Sequence, residues 1–305
     1  MVNTYGENAN NLSRKFLRGL CKIWKGITVE PVLLCFVLPF HMSTLAMQNL
    51  SLEKSCRVNL QLNVSICDAI EARNHSGYHE SDEVIVQKVV ASASIWKNVV
   101  YSVFPAFLLP FFGSWSDRNK TRKVLMLMPI IGEMITNIAF ILCTYFFYEL
   151  PMEVNTIVEV LPTAVTGGLN MLLVGAFTYV SSITAIEDLT VRIGIIHVLV
   201  GVFAACGDAL SGVMYKLIGF YGVFSLSFVL YTLAGLYTFY KVNETVRAGD
   251  KFLTKCELVK DIVNCKKAFE PFKFLLKPTR TIQTKQICVI LFLAMLVVGP
   301  FKGKL

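Results

Sequence analysis

The amino-acid sequence predicts an all-α membrane protein with six transmembrane helices followed by a truncated seventh. Of its 305 residues, 54% are hydrophobic and only 16% are charged, whereas a soluble domain carries roughly 25% charged residues. The apolar residues form long runs, and each long run reaches the ~20 residues that a helix needs to cross the hydrocarbon core. The predicted spans are Val29–Leu50, Val89–Phe112, Val124–Phe147, Ile157–Ile183, Ile193–Ile218 and Tyr221–Tyr240.

The segments around these spans also have distinct compositions. Residues 1–28 are polar and basic and lack the apolar region of a cleaved signal peptide. The first span opens on Glu30-Pro31, where the proline loses no needed N–H and the acid suits the positive end of the helix dipole. Residues 241–286 form a basic segment that we interpret as a cytoplasmic linker. The apolar run within residues 287–305 is too short to cross the membrane comfortably, which predicts a truncated seventh span.

The charges on the loops predict the orientation of the bundle in the membrane. The N-terminal segment, the short loop after the second span and the linker are basic, whereas the loop of residues 51–88 carries six acids against four cations. Basic loops stay in the cytoplasm. We therefore expect a cytoplasmic N-terminus and an extracellular loop 51–88. The net charge of +8 then reflects topology, so membrane lipid is the expected surrounding and nucleic acid is not an expected partner.

The predicted extracellular loop contains residues suited to the secretory route. Asn63-Val-Ser65 and Asn74-His-Ser76 are acceptor sequences for N-glycosylation. Cys56 and Cys67 are the only cysteines of the loop and face an oxidising compartment. They are candidates for a local disulfide, or one of them bridges to a loop of a second half.

Several short strings together resemble one transporter family. They are Val29-Glu-Pro-Val32, the string from Gln48 to Cys56, Gly113-Ser-Trp-Ser-Asp117, Phe177-Thr-Tyr-Val180 and Thr190-Val-Arg192. This pattern resembles the proton-coupled folate transporter group (solute carrier family 46-like) of the major facilitator superfamily, particularly its divergent insect-type members. The resemblance covers the chain up to the seventh span. It implies the N-terminal half of a protein with twelve spans in two six-helix halves.

The resemblance implies secondary active transport of a small organic solute by alternating access, with protons as the coupling ion in the best-known members. Such transport needs a second half, either from another part of a longer chain or from another copy. The plasma membrane is the expected location. No catalytic triad, phosphate-binding loop or metal-ligand cluster is present in the sequence, so neither an enzyme nor a cofactor or metal site is expected. The alternative function is a truncated, non-transporting protein that binds or modulates a full-length transporter.

The charged string after the second span is the first candidate site. In the family, an acid and its basic neighbours in this loop form a charge network that holds the two halves in one state. The matching residues here are Gly113, Asp117, Arg118, Arg122 and Lys123. The sequence departs from the family pattern at Lys120 and Thr121, where a small glycine and a basic residue are usual. The alternative is that these cations only set the topology.

Ionisable residues inside the spans are the second candidate site, because each costs roughly 2.5–3.5 kcal/mol on insertion scales. Glu133 lies deep in the third span and Lys97 lies nearer the outer end of the second, where it can snorkel. His197 occupies the position of a family glutamate tied to proton coupling, and a histidine changes its charge near neutral pH. Asp208 lies among small residues in the fifth span. The candidates for proton or substrate coupling are thus Glu133, His197 and Asp208, although His197 also fits an interfacial residue and Asp208 a helix–helix hydrogen bond.

Overall fold

The computed structural model describes residues 28–72, 74 and 77–242. These residues form helices and no strand, which confirms the predicted all-α class. In chain order the helices are α1 (Glu30–Lys54), α2 (Val64–Glu71), α3 (Glu80–Asn119), α4 (Arg122–Tyr145), α5 (Met152–Thr166), α6 (Gly168–Ile183) and α7 (Ile186–Lys241). A π-helical turn, Ser55–Asn59, directly continues α1.

Five helical segments of the described chain are long and apolar enough to cross a membrane. They are Glu30–Asn59, Glu80–Asn119, Arg122–Tyr145, Met152–Ile183 and Ile186–Lys241. The last of them contains two predicted spans. Its 56 residues would extend about 84 Å as one straight helix, far beyond the ~30 Å hydrocarbon core.

Gly219 divides α7 into two arms, residues 186–218 and 220–241. Its φ of 64° and ψ of −170° are not helical, and a positive φ costs glycine little. Ile196 and Tyr231 share a core cluster with the first half of α1, whereas Met214 and Phe224 pack in a cluster with its second half. The two arms therefore run antiparallel along α1, and each is long enough to be one predicted span.

A pair of glycines interrupts the predicted fourth span. Gly167 and Gly168 have φ values of 79° and 53°, and they separate α5 from α6. The helix also begins at Met152, five residues before the predicted Ile157. Glu159 consequently lies two turns inside a helix instead of near the end of a span.

The segment 51–88, which the sequence predicts to be the extracellular loop, is mostly helical in its described residues. The first span continues through Lys54 and the π-helical turn, α2 follows, and α3 already begins at Glu80. Three acids occupy the first turn of α3, where they complement the positive end of the helix dipole. The helices thus extend past the apolar runs that defined the predicted spans.

Helix α1 lies at the centre of the bundle. Val32, Leu33, Phe36 and Val37 are fully buried, and the ring of Phe36 meets that of Tyr231 edge to face at 5.3 Å between centroids. The predicted N-terminal segment, linker and truncated seventh span lie outside the described residues, apart from Thr28, Lys241 and Val242.

Candidate functional site

The charged string after the second span is mostly helical. Gly113, Asp117 and Arg118 lie in the last turns of α3, and only Lys120 and Thr121 separate α3 from α4. Lys120 adopts the left-handed conformation with φ 55°. Gly113 has open space where a side chain would stand, so close packing does not require a glycine there. The predicted loop is therefore a tight two-residue turn.

Arg122 and Lys123 bind to neighbouring helix ends. The Arg122 guanidinium donates to the carbonyl oxygen of Thr178, near the C-terminal end of α6. The Lys123 ammonium donates to the carbonyl oxygen of Phe239 and lies 4.7 Å from the centre of its ring, near the end of α7. Cations in these positions lie near the C-terminal ends of the two helices and complement the negative end of each helix dipole.

Asp117 differs from the cations beside it. Its side chain is exposed, and it forms no ion pair with any residue that the structure describes. The family pattern would join this acid to a basic neighbour in the same network. Here the acid stands at the end of the bundle predicted to face the cytoplasm, open to a partner.

A polar cluster lies between α3, α4 and α5. The Lys97 ammonium donates to both carboxylate oxygens of Glu159 at 3.0 and 3.1 Å. Tyr101 lies four residues after Lys97 on α3, and Thr163 lies four residues after Glu159 on α5. Side chains four residues apart share one face of a helix, so both stand one turn from the ion pair. The Thr163 hydroxyl donates to the carbonyl oxygen of Glu159 at 3.0 Å.

Glu133 enters the same cluster from α4. It is only 3% exposed, and it interacts with the carboxylate of Glu159 and the hydroxyl of Thr163. Its Oε1 atom has no hydrogen-bond partner among the described residues. Glu133 lies eleven residues after the first residue of α4, a depth of about 16 Å along the helix. That depth places its carboxyl group near the middle of the ~30 Å hydrocarbon core.

Asp208 pairs with a histidine of α1. The Oδ1 atom of Asp208 lies 3.0 Å from Nδ1 of His41, and the two side chains are 63% and 27% exposed. Gly207 makes this approach possible, because a β-carbon at that position would lie 2.8 Å from the carbonyl oxygen of Leu38. Asp208 therefore forms the predicted kind of helix–helix contact, with a partner that can carry a positive charge.

His197 stands apart from both groups. Its Nδ1 atom lies 3.1 Å from the carbonyl oxygen of Ile193. Its ring stacks on that of Phe177 in α6, with 4.9 Å between the ring centroids. No acid of the described chain pairs with it. The three candidate coupling residues thus occupy three separate surroundings and do not form one site.

The other end of the bundle carries a compact polar cap. Cys56 and Cys67 are joined in a disulfide with their Cα atoms 5.8 Å apart. Arg57, next to Cys56, forms ion pairs with Glu53 at 3.1 Å and with Asp68 at 2.6 Å. The cap therefore attaches α2 to the C-terminal end of α1 and its π-helical turn.

The two predicted glycosylation sites lie on this cap. Asn63 and Asn74 are both exposed. The side chain of Asn63 accepts a hydrogen bond from the backbone N–H of Ser65 at 3.4 Å and caps α2. Both asparagines therefore stand at the surface, on the opposite end of the bundle from Asp117.

Two partners in these contacts were missed by the analysis of the sequence. Glu159 stands near the start of the predicted fourth span, where an acid is common and draws no attention. His41 lies within the first span, and a single histidine in an apolar run resembles a packed core residue. Both are ionisable residues inside long apolar runs, and this feature of the sequence could have identified them.

The chain matches known proteins over most of its length. A family model described as Major Facilitator Superfamily matches residues 85–301. A curated protein of Drosophila melanogaster described as "Probable peptidoglycan muropeptide transporter SLC46" is 22% identical over 204 residues. That match covers 66% of this chain and 39% of the relative, so the chain spans about two-fifths of the length of the relative it matches.

Proposed function

This chain belongs to the major facilitator superfamily, as its motifs predicted, and from that membership we propose that it acts as a secondary active transporter of a small organic solute. It is a multi-pass membrane protein whose long apolar helices require a lipid environment. The proposed mechanism is alternating access, in which two halves move around a site near the middle of the membrane. The described helices form one such half.

The buried polar cluster carries this proposal. Lys97, Glu159 and Glu133 are ionisable residues within the apolar helices; the first two form an ion pair and Glu133 is buried. Such residues are costly inside a membrane, and they mark solute or ion pathways when they face a cavity or one another. A bundle that needed only to span the membrane would be more stable with apolar residues at these positions.

Glu133 is the proposed proton-binding group. Its carboxyl group is buried, lies beside the second acid Glu159 and has one oxygen atom without a partner in the described chain. Two neighbouring carboxylates in an apolar region repel each other, and a bound proton removes that repulsion. His197, at the family position for proton coupling, and Asp208, which pairs with His41, are the further residues that we propose for coupling.

Asp117 is the proposed contact with a second half. It is exposed at the end of α3 and has no ion pair within the described chain. An exposed acid beside a tight turn can pair with a cation of another half and separate from it again as the transporter changes state. That half belongs either to the rest of a longer chain or to another copy of this one.

The relative suggests the first class of solute to test. The Drosophila protein is described as a probable muropeptide transporter, and muropeptides contain amino-acid and sugar groups. We propose peptide-bearing organic solutes as the first candidates and the plasma membrane as the location.

Uptake into proteoliposomes tests the proposal. The chain and the full product of its gene are reconstituted separately, and uptake of labelled muropeptide is measured with and without an inward proton gradient. We expect uptake that the gradient accelerates, with the acceleration lost in Glu133→Gln and reduced in His197→Ala. His79→Ala, an exposed histidine before α3, serves as the matched control. The absence of gradient-driven uptake in both preparations for all peptide-bearing solutes would contradict the function.

A further inference from the structure

A cavity of about 330 Å³ opens between α1, α3 and α5. Its polar lining comes from the Lys97–Glu159 ion pair, from Gln48 and Asn49, and from the hydroxyl-bearing residues Ser51, Ser94 and Thr156. Leu45, Leu52, Val90, Ala93 and Met152 supply apolar walls. A mostly apolar cavity with a few convergent polar groups is the usual form of a small-molecule site.

The ion pair is reachable from the cavity. The side chains of Lys97 and Glu159 keep 20% and 17% of their surface exposed. Within the described chain, the only hydrogen bonds of the Lys97 ammonium go to Glu159. An ammonium group has three donors, so Lys97 retains the capacity to bind another acceptor.

The side-chain amide groups of Gln48 and Asn49 on α1 are also available to bind a solute. Gln48 and Asn49 have no side-chain hydrogen bond to any other residue in the part of the chain that the structure describes. Gln48 is exposed and Asn49 half-buried, so both face space instead of being trapped without partners. Each amide group offers donors and an acceptor, which suits the peptide group of a solute.

A second cavity borders the same stretch of α1 as the first. It has a volume of about 750 Å³, lies between α1, α2 and α7, and shares Leu45, Asn49 and Leu52 with the smaller cavity. The disulfide between Cys56 and Cys67 lines it. The two cavities therefore share the C-terminal half of α1 as a wall, and the larger one is lined in part by residues of the polar cap.

The charges at the site restrict the class of solute. A carboxylate that approached Lys97 would compete with Glu159, and an ammonium that approached Glu159 would compete with Lys97. A solute with only one charge would leave one member of the pair without compensation in a poorly hydrated region, which is costly. A dipolar solute compensates both charges at once, with its carboxylate at Lys97 and its ammonium at Glu159.

We propose that this cavity is a binding site for a zwitterionic solute of about dipeptide size, held by Lys97 and Glu159 at its charged ends and by Gln48 and Asn49 at its peptide group. The proposal rests on the proposed transport function and specifies the solute class of that transporter. Selectivity arises from the charge balance of the ion pair, so net-charged analogues of the same size bind more weakly.

A charge series of one dipeptide tests the site. Binding to the purified chain in lipid nanodiscs is measured by displacement of labelled alanyl-alanine. The competitors are N-acetyl-alanyl-alanine, which is an anion, alanyl-alanine amide, which is a cation, and the neutral N-acetyl-alanyl-alanine amide. We expect the zwitterion to bind about tenfold or more tightly than each of the others, because each loses at least one charged contact.

Substitutions of the ion pair change the order of the series. Lys97→Gln should favour the cation and Glu159→Gln the anion, because each variant keeps one charge. The exchanged variant Lys97→Glu with Glu159→Lys keeps both charges and should keep the preference for the zwitterion. Glu187→Gln, at an exposed acid in the first turn of α7, is the control and should leave the order unchanged.

Two results would overturn the site. One is the absence of alanyl-alanine binding to a chain whose thermal unfolding shows that it is folded. The other is a loss of affinity that is equal for all four dipeptides in Lys97→Gln and Glu159→Gln.

Zwitterion binding with the expected order but without uptake would support the site and contradict the transport function. Uptake of all four dipeptides at equal rates would support transport and contradict the site.

Discussion

Lys97 of α3 and Glu159 of α5 are joined by an ion pair with nitrogen–oxygen distances of 3.0 and 3.1 Å. The pair joins two helices near the buried side chain of Glu133. The sequence suggested that Lys97 snorkels to the membrane surface, but the nearby carboxylate gives its charge a partner inside the bundle.

Removing one member of this pair should destabilise the bundle. We expect Glu159→Gln or Lys97→Gln to lower the free energy of unfolding by about 1–3 kcal/mol, because the remaining charge loses its partner in a poorly hydrated region. The double variant Lys97→Gln with Glu159→Gln should lose less than the sum of the single variants. Thermal unfolding in detergent, analysed as a double-mutant cycle, measures this coupling. Additive losses would show that the two side chains do not stabilise each other.

The disulfide should stabilise the polar cap. Cys56 and Cys67 are separated by 11 positions, and closing a loop of that size is worth about 2–3 kcal/mol. We expect Cys67→Ser to lower the unfolding temperature and to free Cys56 for labelling by a maleimide reagent under non-reducing conditions. Cys206→Ser, at an exposed free cysteine, is the control. Equal labelling of Cys56 with and without Cys67 would exclude the bond.

The approach of α1 to α7 should depend on Gly207. A β-carbon there would lie 2.7 Å from that of His41 and 2.8 Å from the Leu38 carbonyl oxygen. We expect Gly207→Ala to destabilise the bundle by about 1–3 kcal/mol, because the helix must shift away. Gly201→Ala, where the added β-carbon meets open space, should be neutral or stabilising by up to about 1 kcal/mol. Equal unfolding temperatures for the two variants would contradict this packing.

Glycosylation should report the orientation of the bundle. In secretory cells we expect the chain to carry N-glycans on Asn63 and Asn74, and Asn63→Gln with Asn74→Gln to remove the mobility shift produced by glycosidase treatment. Asn119 also lies in an acceptor sequence, Asn119-Lys-Thr121, but at the opposite end of α3. Asn119→Gln should therefore have no effect. A glycan on Asn119 instead would invert the proposed topology.

The apolar runs were sufficient to predict the class of the fold and most of the spans. The apolar runs did not show where the helices end. Helix α3, for example, begins at Glu80 among acids that lie outside any apolar run. The apolar runs did separate the fifth and sixth predicted spans between Ile218 and Tyr221, which is where Gly219 divides α7 into two arms. Helix ends that extend beyond the membrane are stabilised by dipoles, caps and contacts, and these leave little trace in hydropathy.

The candidate site was predicted in part. Glu133 and Asp208 were identified because isolated charges within apolar runs are costly wherever they point. Their surroundings could not be predicted, since Glu159 and His41 come from helices distant in the chain. The string Gly113–Lys123 was recognised as a family motif, yet the hydrogen bonds of Arg122 and Lys123 to α6 and α7 depend on which helix ends meet at that side.

The sequence by itself determined that this chain is a multi-pass helical protein of the major facilitator superfamily. Long apolar runs can be satisfied in lipid only by helices that pair their own backbone groups, and the motifs identify the family. Tertiary structure alone decided that Lys97 meets Glu159, that Asp208 meets His41 and that His197 remains apart from them. Those pairings depend on helix packing and rotation about each helix axis, which are properties of several segments together.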